Sequence, residues 1–274
     1  MNSPADPQTA ACCGKRKMAA TTNYKSLTWA VLKPTSTTST TKTKWLAATS
    51  TQASGTTPVS IRAISVDQGF INPLPDLNGN SANANGINNK GAIVGQIDSD
   101  GFNDKTVNSA ALWEKGTDGK YKLTNLGTFG AEQAILRDIN DSGQIIGNTS
   151  GGTGATATSS PFLLQNGQKI NIGSLGGATG STAGINQFGQ VVGVSQNAIG
   201  QNRAFVWNNG VIKDLNNLTL TTPTFGGSNV TLTNATGINN FGDISAYGSY
   251  TYKDAKGVTQ TGTRAYLLKA LVTT

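Results

Sequence analysis

One short motif recurs four times in this chain and sets the limits on what it can build. It reads Ile-Asn-x-x-Gly followed by a short apolar run. The copies are Gly86-Ile-Asn-Asn-Lys-Gly-Ala-Ile-Val-Gly95, Asp138-Ile-Asn-Asp-Ser-Gly-Gln-Ile-Ile-Gly147, Gly184-Ile-Asn-Gln-Phe-Gly-Gln-Val-Val-Gly193 and Gly237-Ile-Asn-Asn-Phe-Gly-Asp-Ile-Ser-Ala246. The isoleucines stand 52, 46 and 53 residues apart. Asn-x-x-Gly suits a type I turn, in which Asn accepts from the backbone two residues on and Gly takes the left-handed conformation. Ile before the turn and β-branched residues after it predict a hairpin. The closing glycines, Gly95, Gly147 and Gly193, fall inside a strand, which marks the close approach of another backbone.

A second element alternates with the first. Its fullest copy is Arg203-Ala-Phe-Val-Trp-Asn-Asn-Gly-Val-Ile-Lys-Asp-Leu215, and Arg62 to Leu74 aligns with it without a gap. Shorter copies start at Ser109, Ser160 and Arg264. Asn208-Asn209-Gly210 predicts another hairpin turn. Each period therefore supplies four short strands and no long helical pattern. Four strands per ~40–50 residues is the signature of a β-propeller blade. The expected fold is all-β, a propeller of four four-stranded blades. A fifth blade follows if the apolar patches at 27–32 and 45–48 add strands. An open β-solenoid is the alternative.

Composition divides the chain at residue 61. The first 60 residues hold seven Lys/Arg against one acid, and 21 of the 60 are Ser or Thr. This leader reads as a partly disordered tail with docking strands. Residues 61–274 form the repeat domain and carry 14 basic and 13 acidic residues. That near-neutral body gives no electrostatic case for nucleic acid. No apolar run approaches the length of a membrane-spanning helix. The chain has no His, which excludes His-dependent nucleophilic relays and His-ligated metals. Its two cysteines are adjacent, Cys12 and Cys13, and form no disulfide framework.

The two alternating elements, with the linkers Leu126-Gly-Thr-Phe-Gly130 and Ile172-Gly-Ser-Leu-Gly-Gly177, resemble the HAF-family extracellular repeat proteins of bacteria. The resemblance spans roughly residues 61–270. It implies secretion or surface display and carries no defined activity. No ordinary signal peptide precedes the repeats in the chain as written.

Candidate sites are few. Asp98, Asp100 and Asp104 cluster in one loop with oxygens suited to Ca²⁺. The loop lacks the later acidic ligand of a full EF-hand, so a solvated connection is the plainer reading. Asn88, Asn140, Asn186 and Asn239 form a repeating ring explained first by turn chemistry. Arg62, Arg203 and Arg264 recur at one position and are expected to brace neighbouring blades. Trp113 and Trp207 share a slot with Val66, Leu164 and Leu268, which predicts core packing. Sequons begin at Asn148, Asn217, Asn229 and Asn234.

Acids do not recur at any repeat position. Asp138 beside Arg137 is the one charged pair next to a motif copy. The expectation is therefore no catalysis and no cofactor apart from the Ca²⁺ candidate. The expected role is a binding or adhesion module for glycans or surface proteins, with recognition in the variable stretches 97–107, 150–159 and 220–232. The alternative is a self-assembling structural protein that exchanges terminal strands.

Overall fold

Each pair of motifs folds into one antiparallel meander. The computed structural model describes residues 44–51, 60–67, 70–77, 81–99, 107–218, 224–225 and 228–270. Within them the protein is all-β, with no α-helix. Unit 1 comprises β1 (Lys44–Thr51), β2 (Ser60–Asp67) and β3 (Phe70–Pro73). Unit 2 comprises β4 (Ala82–Ile87), β5 (Ile93–Asp98), β6 (Asn108–Lys115) and β7 (Tyr121–Gly127). Unit 3 comprises β8 (Gln133–Ile139), β9 (Ile145–Gly151), β10 (Thr158–Gln165) and β11 (Gln168–Asn171). Unit 4 comprises β12 (Gly176–Ile185), β13 (Val191–Asn197), β14 (Asn202–Asn208) and β15 (Val211–Asp214). Unit 5 comprises β16 (Thr224–Phe225), β17 (Ser228–Ile238), β18 (Ile244–Lys253) and β19 (Thr259–Leu268).

The strand assignments follow the motifs. The Asn-x-x-Gly turn joins the first strand of a unit to the second, as between β4 and β5. The second element supplies β6, β10, β14 and β19, the strand that follows the one after the turn. Its Asn209-Gly210 turn has positive φ at both residues, 48° and 87°. That is the type I′ geometry whose twist matches a hairpin. Units 3 and 4 merge into one sheet through a single parallel pairing, Ser159 with Thr179. None of the sheets closes on itself.

The patch at 45–48 lies in β1, which pairs with β2 from Lys44↔Asp67 to Thr51↔Ser60. A strand upstream of residue 61 thus belongs to the first sheet. The patch at 27–32 lies outside the described residues.

The core is a series of layers between successive units. The second strand of units 2–4 carries two adjacent apolar residues that serve opposite layers. Ile93 packs with Leu74 and Trp113 against unit 1, while Val94 joins Leu136 and Phe162 of unit 3. Ile145 stays in that second layer, and Ile146 enters the third with Val191, Phe205 and Trp207. Val192 enters the fourth with Leu232 and Ile244. Each buried aliphatic side chain contributes roughly 1.5–3 kcal/mol, so a doublet ties its unit to both neighbours.

Unit 5 breaks the pattern. Its doublet is Ile244-Ser245, and Ser245 is exposed. Leu267 on β19 is 63% exposed, and β19 contains no buried residue. One face of the last unit is therefore open.

The closing glycines behave as their position in a strand predicts. A Cβ at Gly95 would run into the backbone oxygen of Asn83, and one at Gly193 into that of Ser181. The first strand of each unit presses onto the second at this point.

Candidate functional site

Two features of the motif recur from unit to unit. The first is a ladder of asparagines. Within each turn the Asn side-chain oxygen accepts backbone N–H groups. Asn140 Oδ1 takes Ser142 N at 3.1 Å and Gln144 N at 3.0 Å, and Asn186 Oδ1 takes Phe188 N and Gln190 N, both at 3.0 Å. The Asn Nδ2 donates outward, to the next unit. Asn88 donates to Asn140 O at 3.1 Å, Asn140 to Asn186 O at 3.0 Å and Asn186 to Asn239 O at 3.1 Å.

A second row runs beside the first. Asn89 N donates to Asp141 Oδ1 at 2.7 Å, Asp141 N to Gln187 Oε1 at 3.0 Å and Gln187 N to Asn240 Oδ1 at 3.0 Å. The predicted ring residues thus come together as consecutive rungs. They act as frame, because Asn88, Asn140 and Asn186 are buried with their amides engaged. Asn239 ends the series. Its amide turns back to Asp243 Oδ2 at 3.1 Å. Asp243 also accepts from Lys269 Nζ at 2.9 Å and from Ala270 N. The Lys269 bond, followed by the Asn239 bond, holds the Asp243 carboxyl below its ordinary value.

The second feature is a bulge repeated in units 2 to 5. Pairing of first and second strands slips between Ala84 and Gly86, Leu136 and Asp138, Thr182 and Gly184, and Ala235 and Gly237. The residue skipped each time stands two before the motif Ile: Asn85, Arg137, Ala183 and Thr236. A bulge re-aims its side chain out of the ladder. All four skipped residues line one cleft of about 450 Å³, together with Ser181, Thr182, Asn234 and Tyr247. Its size lies in the range of small-molecule sites, about 300–1,000 Å³.

The cleft wall mixes hydroxyl and amide groups with small apolar residues and differs from unit to unit. Asn85 Nδ2 is spent on Leu136 O at 2.8 Å and Gln96 Oε1 at 3.1 Å. Arg137 is the only charged side chain among the described residues lining the cleft. Its side chain still reaches water, yet the surrounding walls desolvate it enough to lower its pKa from the usual guanidinium value. Asp138 is buried, and its Oδ1 accepts from Ile139 N at 3.1 Å. The adjacent pair therefore does not act together at the cleft.

A second cleft of about 460 Å³ lies between Gln196, Gln201, Arg203, Thr231 and Ser249. Its Arg203 is already engaged, by Gln201 Oε1 at 2.6 Å and by Asp214 at 3.9 Å. Both partners belong to unit 4. Arg264 likewise stacks over the Tyr250 ring of its own unit, 4.4 Å from the centroid. Arg203 thus braces its own unit rather than a neighbour. Arg62 has no described side chain.

Trp113 and Trp207 are buried in the layers, as their shared slot predicts. The sequon residue Asn148 is buried too. It donates to Ser181 Oγ and accepts from Thr182 N, linking units 3 and 4. Of the Ca²⁺ candidates, Asp98 ends β5, while Asp100 and Asp104 lie outside the described residues. No metal-ligand cluster occurs among the described residues, and none of their helices is long and apolar enough to cross a membrane.

The bulged positions were missed because the motif was read for what repeats. The signal was present as the variable residue two before each Ile. Set against protein-family models and against curated proteins, the chain matches none.

Proposed function

We propose that this chain is a secreted or surface-displayed binding module of the HAF-repeat type, without catalytic activity, that holds glycan or cell-surface partners. Its five units are read as the blades of a β-propeller. The observation that carries this reading is the division of labour within the motif. Residues that repeat, the turn Asn and the closing Gly, make the frame. Residues that vary, Asn85, Arg137, Ala183 and Thr236, line the cleft. A rigid frame that presents a non-repeating wall suits recognition. The described lining residues include no carboxylate, so the cleft offers no acid–base pair for hydrolysis.

The direct test mixes the full chain with insoluble cell-wall and matrix polysaccharide fractions and measures depletion from solution. Saturable depletion supports the module. Retention of all the protein in the supernatant of every fraction overturns it.

The open outer face of unit 5, with Ser245 and Leu267 exposed, favours a second reading. An uncovered sheet face and its edges template association, so the chain would be a self-assembling structural protein. Light scattering across a concentration series separates the two. A constant monomer mass favours the module, and a mass that climbs with concentration favours assembly.

A further inference from the structure

We infer that the cleft takes a sugar bearing a carboxylate, of the uronic-acid type, and that Arg137 receives the acid group. The inference rests on the binding reading above and names the class of ligand.

Three observations carry it. First, Arg137 occupies the bulged position of unit 3 and lines the cleft. The equivalent residues of units 2, 4 and 5 are uncharged, so the positive charge sits at one place on the wall. Second, its guanidinium makes no hydrogen bond or ion pair with any described residue. The other cleft arginine, Arg203, is committed to Gln201 and Asp214. A partly desolvated guanidinium without a protein partner is poised for an external anion. Third, Thr236, Tyr247 and Asn234 add hydroxyl and amide groups to a wall that also carries the small apolar residues Ala84, Ala183, Val194 and Ala235.

The charge count chooses the anion. One guanidinium balances one carboxylate and matches its two oxygens with two parallel N–H donors. A phosphate dianion needs a second cation or a nest of backbone N–H groups, and the described lining supplies no second cation. The hydroxyls and amides beside Arg137 suit the hydroxyls of a sugar, and the small apolar residues suit the C–H face of its ring. A uronate combines both chemistries in a body that fits about 450 Å³.

The test titrates the full chain by calorimetry with a four-residue oligogalacturonate, with maltotetraose as its neutral counterpart, and with inorganic phosphate. The expected result is a preference of at least tenfold for the acidic sugar, weakened by salt. Arg137→Gln removes at least tenfold of that affinity. Arg137→Lys keeps the charge, loses the paired donors and falls between. Because the guanidinium holds no other residue in place, both variants should unfold at the wild-type urea midpoint, which separates lost binding from lost fold. Equal binding of the two sugars, unaffected by Arg137→Gln, overturns the role of Arg137 and leaves the glycan reading standing. Phosphate binding lost in Arg137→Gln, with neither sugar bound, overturns the uronate assignment and the glycan reading together.

Discussion

Asn140 donates its side-chain amide to the backbone oxygen of Asn186, 46 residues further on, at 3.0 Å. That separation equals the spacing of the two motif copies, and the flanking rungs span 52 and 53 residues. The turn residue of one unit is therefore also the fastener of the next.

The two jobs can be separated by substitution. Asn140→Ala removes the turn bonds and the rung in a buried setting, and it strands buried donors and acceptors. The expected loss is about 2–4 kcal/mol. Asn239→Ala removes turn bonds alone, in an exposed turn, and should cost about 1 kcal/mol. Urea unfolding of both variants checks the difference. Equal losses would mean the rung contributes nothing.

Gly193→Ala places a methyl group against the Ser181 carbonyl. Backbone must move at the most tightly pressed point of unit 4. The expected loss is about 2–4 kcal/mol, as for a core position overpacked beyond what side chains can relieve. Gly210→Ala, in a turn with open space around it, pays only for its φ of 87° and should lose about 1 kcal/mol. Thermal melts of the pair rank the two effects.

Trp113 and Trp207 share one slot but differ in their polar end. Trp113 Nε1 donates to Pro75 O at 2.7 Å, whereas no described protein group accepts from Trp207 Nε1. Trp113→Phe should therefore cost about 1 kcal/mol more than Trp207→Phe, because it leaves a carbonyl without its donor. Chemical denaturation of the two variants gives the comparison directly.

The Asp243 carboxyl predicts an acid-side effect. Its folded pKa lies below the ordinary value because Lys269 and Asn239 donate to the ionised form. Its stabilisation is thus complete above the unfolded value of about 3.9 and disappears as the pH falls through the lowered folded value. Asp243→Asn should lower the Tm at pH 7, and the gap should narrow as the pH falls below about 3.9. A gap in Tm that stays constant on acidification would show that the carboxylate charge is not the cause.

Much of this was legible in the chain. Asn-x-x-Gly specified the turn, and the glycines inside strands specified close backbone approach, because both are local rules. The doublets Ile93-Val94, Ile145-Ile146 and Val191-Val192 already imply burial on both faces, and Ile244-Ser245 implies an open one. The rungs were not legible. The atom that accepts each one is a backbone oxygen, which carries no sequence signature. The cleft was hidden for a related reason. Arg137 drew attention through its neighbour Asp138, yet its cleft companions Asn85, Ala183 and Thr236 lie in other units. The bulges that gather them depend on strand register rather than on residue type.

The one-way direction of the Asn rungs bears on how such a chain can change over generations. The earlier unit supplies the amide, and the later unit supplies only a main-chain oxygen. Main-chain oxygens exist whatever residue is encoded. Duplicating or deleting an internal repeat in the gene therefore leaves every remaining amide with a main-chain acceptor, so repeat number is free to drift while this joint between repeats stays the same.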